Sequence, residues 1–179
     1  MAASLRTAVV IPVPEAAPVV DPWRERTCND KPSIGIPAHV TLVFPFVPAG
    51  AVDPAAREAL AAIVGAVPRF AFVLHETRRF RETLYLAPEP PEPFVRLTEA
   101  IVRRFPAHPP YEGAFDEVVP HVTVAHGGTA LLDEADASVR GLLPLDAVAR
   151  EALVLEEVEP DWGHWHVRAR LPLGASDLP

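Results

Sequence analysis

The chain has 179 residues, which at roughly 100–200 residues per domain means one domain or two small halves sharing a core. Hydrophobic residues make up 49% and charged residues 22%, which excludes a chain disordered throughout and supplies apolar side chains for a sizeable core. The net charge of −8 sits in the second half, since residues 1–90 balance nine basic against nine acidic side chains and residues 91–179 carry seven against fifteen; that surface excludes long duplex nucleic acid as a partner.

Cys28 is the single cysteine, which excludes an internal disulfide or a zinc site built from cysteines and fits a cytoplasmic protein. The first apolar run, Ala8 to Ile11, is stopped by Pro12 and is too short for a signal segment or a membrane span, so no membrane partner is expected. The β-branched run Thr7 to Val13 predicts a first strand. Residues 14–35 are rich in proline and polar groups, with a short helix expected from Pro22 behind an Asp21 cap. His39 to Phe44 reads as a strand, followed by a loop through Gly50. Asp53 as cap, Pro54 in the first turn, and Leu60, Ile63, Val64 and Val67 at i, i+3, i+4 and i+7 predict a helix. Phe70 to Leu74 and Thr83 to Leu86 read as two short strands flanking Arg78, Arg79, Phe80 and Arg81.

A proline-rich connector, Pro88 to Pro93, leads into a helix with Phe94, Leu97, Ile101 and Phe105 on one face. Beyond it, His121 to Ala125 reads as a strand, and Leu132, Ala135, Val139 and Leu142 trace a helical stripe. Leu153 to Leu155 reads as a strand, and Trp165 to Leu171 alternates strictly. Each half thus runs strand, helix, strand, strand. The steps from His39 to Tyr85 and from His121 to Val167 are both 46 residues, which predicts an internal duplication with repeat units near 36–88 and 118–172 inside one domain, 1–179. Two such lobes facing each other make a cleft.

The duplication shares one motif. Residues 39–42 read His-Val-Thr-Leu and residues 121–124 read His-Val-Thr-Val; composition alone gives a His-aliphatic-Thr-aliphatic sequence roughly 0.02 times in a chain of this kind. On a strand, i and i+2 share a face, so His39 projects with Thr41, and His121 with Thr123. Two imidazoles and two hydroxyls in one cleft suit a phosphodiester. A neutral imidazole takes a proton from water or a ribose hydroxyl, a protonated one gives a proton to the leaving oxygen, and threonine hydroxyls donate to the non-bridging oxygens. This chemistry requires neither a metal nor any other cofactor.

With both motifs quoted, the sequence resembles the two-histidine (2H) phosphoesterase superfamily, which includes the 2'-5' RNA ligase-like proteins and the cyclic nucleotide phosphodiesterases. The resemblance implies an α+β, two-lobed duplicated fold, with antiparallel sheets and outer helices around a central cleft. It implies His39, Thr41, His121 and Thr123 as the catalytic set, and metal-independent cleavage or transfer at 2',3'-cyclic or 2'-5' phosphodiester linkages of small nucleotides or RNA ends. A monomer is expected.

Around this core, the basic group of Arg78, Arg79 and Arg81 offers a phosphate contact, for which Arg81 is the candidate. Phe80 and Tyr85 are candidates to stack a base. His126 follows the second motif with the parity of Val122 and Val124, opposite His121, and becomes a substrate contact only if a bulge at Gly127 turns it. His164 and His166 share a face with Arg168 and Arg170, which reads as a solvent face, with a metal-binding strand as the alternative. Cys28 has no motif partner and no expected chemical role. The competing functional reading is a non-catalytic module that grips a nucleotide or RNA end in the same cleft.

Overall fold

A computed structural model of the chain describes residues 5–113, 117–176 and 178. Its strands are β1 (Thr7–Pro12), β2 (His39–Val43), β3 (Phe70–Phe80), β4 (Thr83–Glu89), β5 (Val122–His126), β6 (Leu145–Ala149), β7 (Glu151–Glu157) and β8 (Trp165–Pro172). The helices are α1 (Ala17–Thr27), α2 (Pro54–Gly65), α3 (Glu92–Arg104) and α4 (Thr129–Val139). All eight strands join one sheet in the order β6-β3-β4-β5-β2-β1-β7-β8, and each named pairing is antiparallel. The fold is α+β, with one continuous sheet rather than separate ones.

Alternation divides this sheet into two faces. Val9, Ile11, Val40, Leu42, Leu84, Leu86, Val122 and Val124 enter the main core beneath the helices. α1 packs on β5, α3 on β2, α2 on β8, and α4 on β4 and β5. The opposite, open face carries His39, Thr41, Tyr85, His121 and Thr123. On the β1–β7–β8 side that face holds a smaller apolar cluster of Ala8, Val10, Leu153, Leu155 and Trp165, covered by Ile34 and Ile36 of the α1–β2 segment. Gly35, at φ +95°, runs so close to the Trp165 backbone that a Cβ would fall 2.2 Å from its carbonyl oxygen.

The two halves have matching registers. Val10 opposes Thr41, Ile11 opposes Val40 and Val9 opposes Val43; Tyr85 opposes Thr123, Leu86 opposes Val122 and Leu84 opposes Ala125. The units β1-α1-β2 and β4-α3-β5 are therefore equivalent. The equal 46-residue steps connect unlike places: Tyr85 lies on interior β4, whereas Val167 lies on edge strand β8.

α2 forms as its sequence predicts, with the Asp53 carboxylate accepting the Ala56 N–H at 2.8 Å and Leu60 and Val64 buried. α1 starts five residues before the expected Pro22 and carries that proline inside; burial of Val19, Val20 and Trp23 outweighs the missing N–H. β3 and β4 form one long hairpin instead of two short strands. The polar stretch through Arg79 stays extended because Thr77 and Arg79 bond to Asp136 and Asp133 of α4. β6 escapes the sequence reading because its buried residues are the small Ala147 and Ala149. Leu142 falls beyond the end of α4 and is 56% exposed, so it does not extend the helical stripe. The alternation of β8 is broken by a register shift opposite Val154/Leu155, which leaves Val167 exposed with its neighbours His166 and Arg168.

Candidate functional site

The two motifs meet at the centre of the sheet. β2 and β5 are adjacent, with Val40 opposite Val122, and this antiparallel register sets His39 across from Thr123 and Thr41 across from His121. Val40 and Val122 are fully buried under the helices, while the four motif side chains are half-buried on the open face.

Both imidazoles are held in the same way. His39 Nδ1 lies 2.7 Å from the Pro37 carbonyl oxygen, and His121 Nδ1 lies 2.7 Å from the Val119 carbonyl oxygen. A carbonyl only accepts, so each Nδ1 carries the proton and donates, which leaves each Nε2 as the basic nitrogen. Burial holds the His39 imidazole below its ordinary value, opposed by Asp30 and assisted by the Arg24 charge. Burial likewise lowers His121, opposed by its bond to Val119 and by Asp30, with His126 adding to the depression. Both imidazoles therefore favour the neutral form more than a free imidazole does.

Aromatic rings wall one side. Phe80 stands edge-on to His121 at 5.1 Å, Tyr85 contacts it at 5.5 Å, and the two rings stack on each other at 4.4 Å. Tyr85 is buried, whereas Phe80 is 39% exposed and keeps part of its surface open. Burial raises the Tyr85 phenol, with the Arg78 charge opposing.

Arg78, not Arg81, is the arginine on this face. It opposes Tyr85 directly in the β3–β4 register and pairs with Glu76 at 2.7 Å. Arg81 sits in the two-residue turn between β3 and β4, away from that register. Arg79 points to the helices, bonded to Asp133 at 2.8 Å. The signal for Arg78 was present, since it shares strand parity with Phe80.

The structure overturns the expected orientation of His126. Tyr85 pairs with Thr123 but Leu84 pairs with Ala125, so Val124 is an extra residue in β5. Val124 and Ala125 both enter the main core, and His126 turns to the open face opposite Thr83, with Nδ1 and Thr83 Oγ1 2.8 Å apart. The bulge lies before Gly127 rather than at it. An open cavity of about 470 Å³ lined by Thr27, Asn29, Glu82, His126 and Gly127 adjoins this position.

Two further residues carried no motif signal. Arg24 is fully buried and donates to the Asp21 carboxylate at 2.7 Å, to the Ile36 carbonyl at 3.1 Å and to the Asp30 carbonyl. It thereby fixes the segment that presents Asp30 to both histidines. Burial pushes the Cys28 thiol up to about 11, so it is not a nucleophile at neutral pH. His164 and His166 are exposed.

A family model described as 2'-5' RNA ligase superfamily matches residues 12–159, which contain both motifs. The chain belongs to the 2'-5' RNA ligase superfamily. It is a family of two-histidine phosphoesterases. No match was found among the curated proteins. Among solved structures, TT0787 of Thermus thermophilus is 18% identical with a TM-score of 0.62, covering 96% of this chain and 99% of that one. LigT of E. coli complexed with NADP+ is 19% identical with a TM-score of 0.59, covering 96% and 98%. LigT complexed with 3'-AMP is 18% identical with a TM-score of 0.57, covering 96% and 99%. At these identities the likeness is one of fold across the whole chain. Among the described residues, no helix is long and apolar enough to cross a membrane.

Proposed function

We propose that this superfamily member is a metal-independent phosphodiesterase acting on 2',3'-cyclic or 2'-5' phosphodiester linkages of small nucleotides or RNA ends. The observation that carries this reading is the matched tautomer of His39 and His121, which turns two equivalent basic nitrogens to one cleft. One Nε2 takes a proton from the attacking water as its oxygen bonds to phosphorus. The other imidazole, protonated, gives its proton to the ribose oxygen as that P–O bond breaks. Thr41 and Thr123 donate to the non-bridging oxygens, where charge grows. Proton exchange with solvent then restores the starting pair.

The substrate side of the proposal is lopsided. The β1–β7–β8 half of the open face is filled by its own apolar cluster, so the base rests on the other half, against the open edge of Phe80, with Arg78 near the phosphate or sugar. Three LigT complexes, with NADP+, 3'-AMP and ATP, are in keeping with a nucleotide ligand. A cytoplasmic location completes the reading and is supported by the lone, buried Cys28.

The test is turnover of a panel of 2',3'-cyclic nucleotides, 2'-5' dinucleotides and cyclic-ended oligonucleotides in EDTA, with His39→Ala and His121→Ala alongside. Turnover that survives chelation and falls roughly 10²- to 10⁴-fold in each variant is expected. Nucleotide binding with no turnover of any member would replace the enzyme with a binding module.

A further inference from the structure

The bulge that turns His126 also gives it unexpected neighbours. Cys28, Asp30 and His126 each bring a potential ligand atom to within 4.8 Å of the other two. The first two come from the segment after α1, the third from the end of β5. Sulfur, carboxylate oxygen and imidazole nitrogen are a donor set that suits a borderline cation and not magnesium or calcium. We propose that Cys28, Asp30 and His126 form a binding site for a divalent cation of the zinc class.

The spacing is close to what such an ion needs. Bond lengths of about 2.0–2.3 Å place tetrahedral donors about 3.3–3.8 Å apart, so donor atoms already within 4.8 Å of one another close on an ion with shifts of about 1 Å. The surrounding chain is already tied down. Thr27 Oγ1 donates to the Trp23 carbonyl at 2.8 Å, accepts the His126 N–H at 3.3 Å and touches Cys28 Sγ at 3.5 Å. Arg24 grips the Asp30 carbonyl. Thr83 engages Nδ1 of His126, the kind of outer hydrogen bond that orients a metal-binding imidazole. Three protein ligands leave the fourth position to water or an added anion, and the cavity lined by Thr27, Asn29 and Glu82 shares His126 with the site and gives access to it. On coordination the Cys28 thiol proton passes to solvent.

The hydrolysis proposed above uses no metal, and the cation site adjoins the histidine pair through Asp30 and His126, whose charges act on His39 and His121, so metal binding is read directly and not through turnover. The probes are zinc and cobalt(II), titrated into the intact protein by calorimetry and by absorption. One equivalent and a thiolate-to-cobalt charge-transfer band are expected. Cys28→Ala should abolish the band and weaken zinc binding at least tenfold, and Asp30→Asn should weaken it similarly. Because Cys28 is buried, His126→Gln at an exposed position is the second variant, read only after circular dichroism shows it folded, with the same tenfold loss expected. Wild-type protein that binds neither ion would overturn the proposal. So would binding that persists in Cys28→Ala and His126→Gln but disappears when the exposed His164 and His166 are both replaced by alanine.

Discussion

Phe44 and His126 hold the same place in the two halves of the sheet. Each follows its His-x-Thr motif after one extra residue, Leu42 in β2 and Val124 in β5, and each turns to the open face. Phe44 packs with Trp162 and Trp165 at 5.7 and 6.2 Å and helps fill its half. His126 stays exposed beside a cavity. The aromatic ring at this position joins the cluster that closes its half, and the imidazole at the equivalent position lines the open one.

In the proposed mechanism the motif threonines act through their hydroxyls. Thr41→Val and Thr123→Val keep shape and strand propensity, so each should lower kcat roughly 10- to 10³-fold while leaving KM within a few-fold. Thermal unfolding should move little, because neither half-buried side chain makes a core contact that valine would lose. Equal losses in stability and activity would instead mark the threonines as structural.

In the proposed mechanism the depressed histidines set the pH profile. Both imidazoles lie below the ordinary 6.5, mainly through burial, and kcat/KM reports the free enzyme. Its acid limb reflects protonation of the base and its alkaline limb loss of the proton from the acid, so the maximum should fall below pH 6.5. Stability follows the same groups. The unfolded chain binds protons that the folded one resists, so the contribution is complete above about 6.5 and declines as pH falls through that value. His39→Gln and His121→Gln should flatten that decline in denaturant titrations at pH 5 to 7.

Parity on β3 separates the arginines. Phe80→Ala removes an open stacking surface worth about 1–3 kcal/mol per base, so KM for a nucleotide should rise roughly tenfold with kcat little changed. Arg78→Ala should raise KM as well, and Arg81→Ala should be silent. A KM effect at Arg81 with none at Arg78 would refute the assignment.

Glu157 anchors the start of β1. It is buried and accepts from the Arg6 side chain at 3.0 and 2.5 Å, from the Arg6 N–H at 3.2 Å and from the Trp162 N–H at 3.1 Å. Burial alone would raise this carboxyl, but these bonds together hold it below 4.5. Its contribution is therefore present above about 4.5 and lost as pH falls through the folded value. Glu157→Ala removes the acceptor of four N–H groups on two residues, Arg6 and Trp162, and should cost about 2–4 kcal/mol, visible as a fall in Tm of about 5 °C or more and a loss of the acid-limb slope.

The elements read most clearly were those whose packing follows a local period. α2 and α3 announced their buried faces through Leu60 and Val64, and Phe94, Leu97 and Ile101. The paired motifs announced the four central side chains, because the strand period alone puts His39 with Thr41 and His121 with Thr123. Elements held by long-range contacts were less legible: β6 is a strand through its pairing with β3, and the polar middle of β3 is a strand because α4 supplies partners for Thr77 and Arg79.

What the sequence alone determined is the set of parts at the centre: two His-x-Thr strands, amphipathic helices to cover them, and a family to which they belong. The tertiary structure decided everything that depends on which strand lies beside which. It placed Val40 against Val122, chose Arg78 over Arg81, and inserted Val124 so that His126 faces Cys28 and Asp30. The reason is physical: side-chain parity is a property of a single strand, whereas register shifts, and the neighbours they create, arise from the pairing of two.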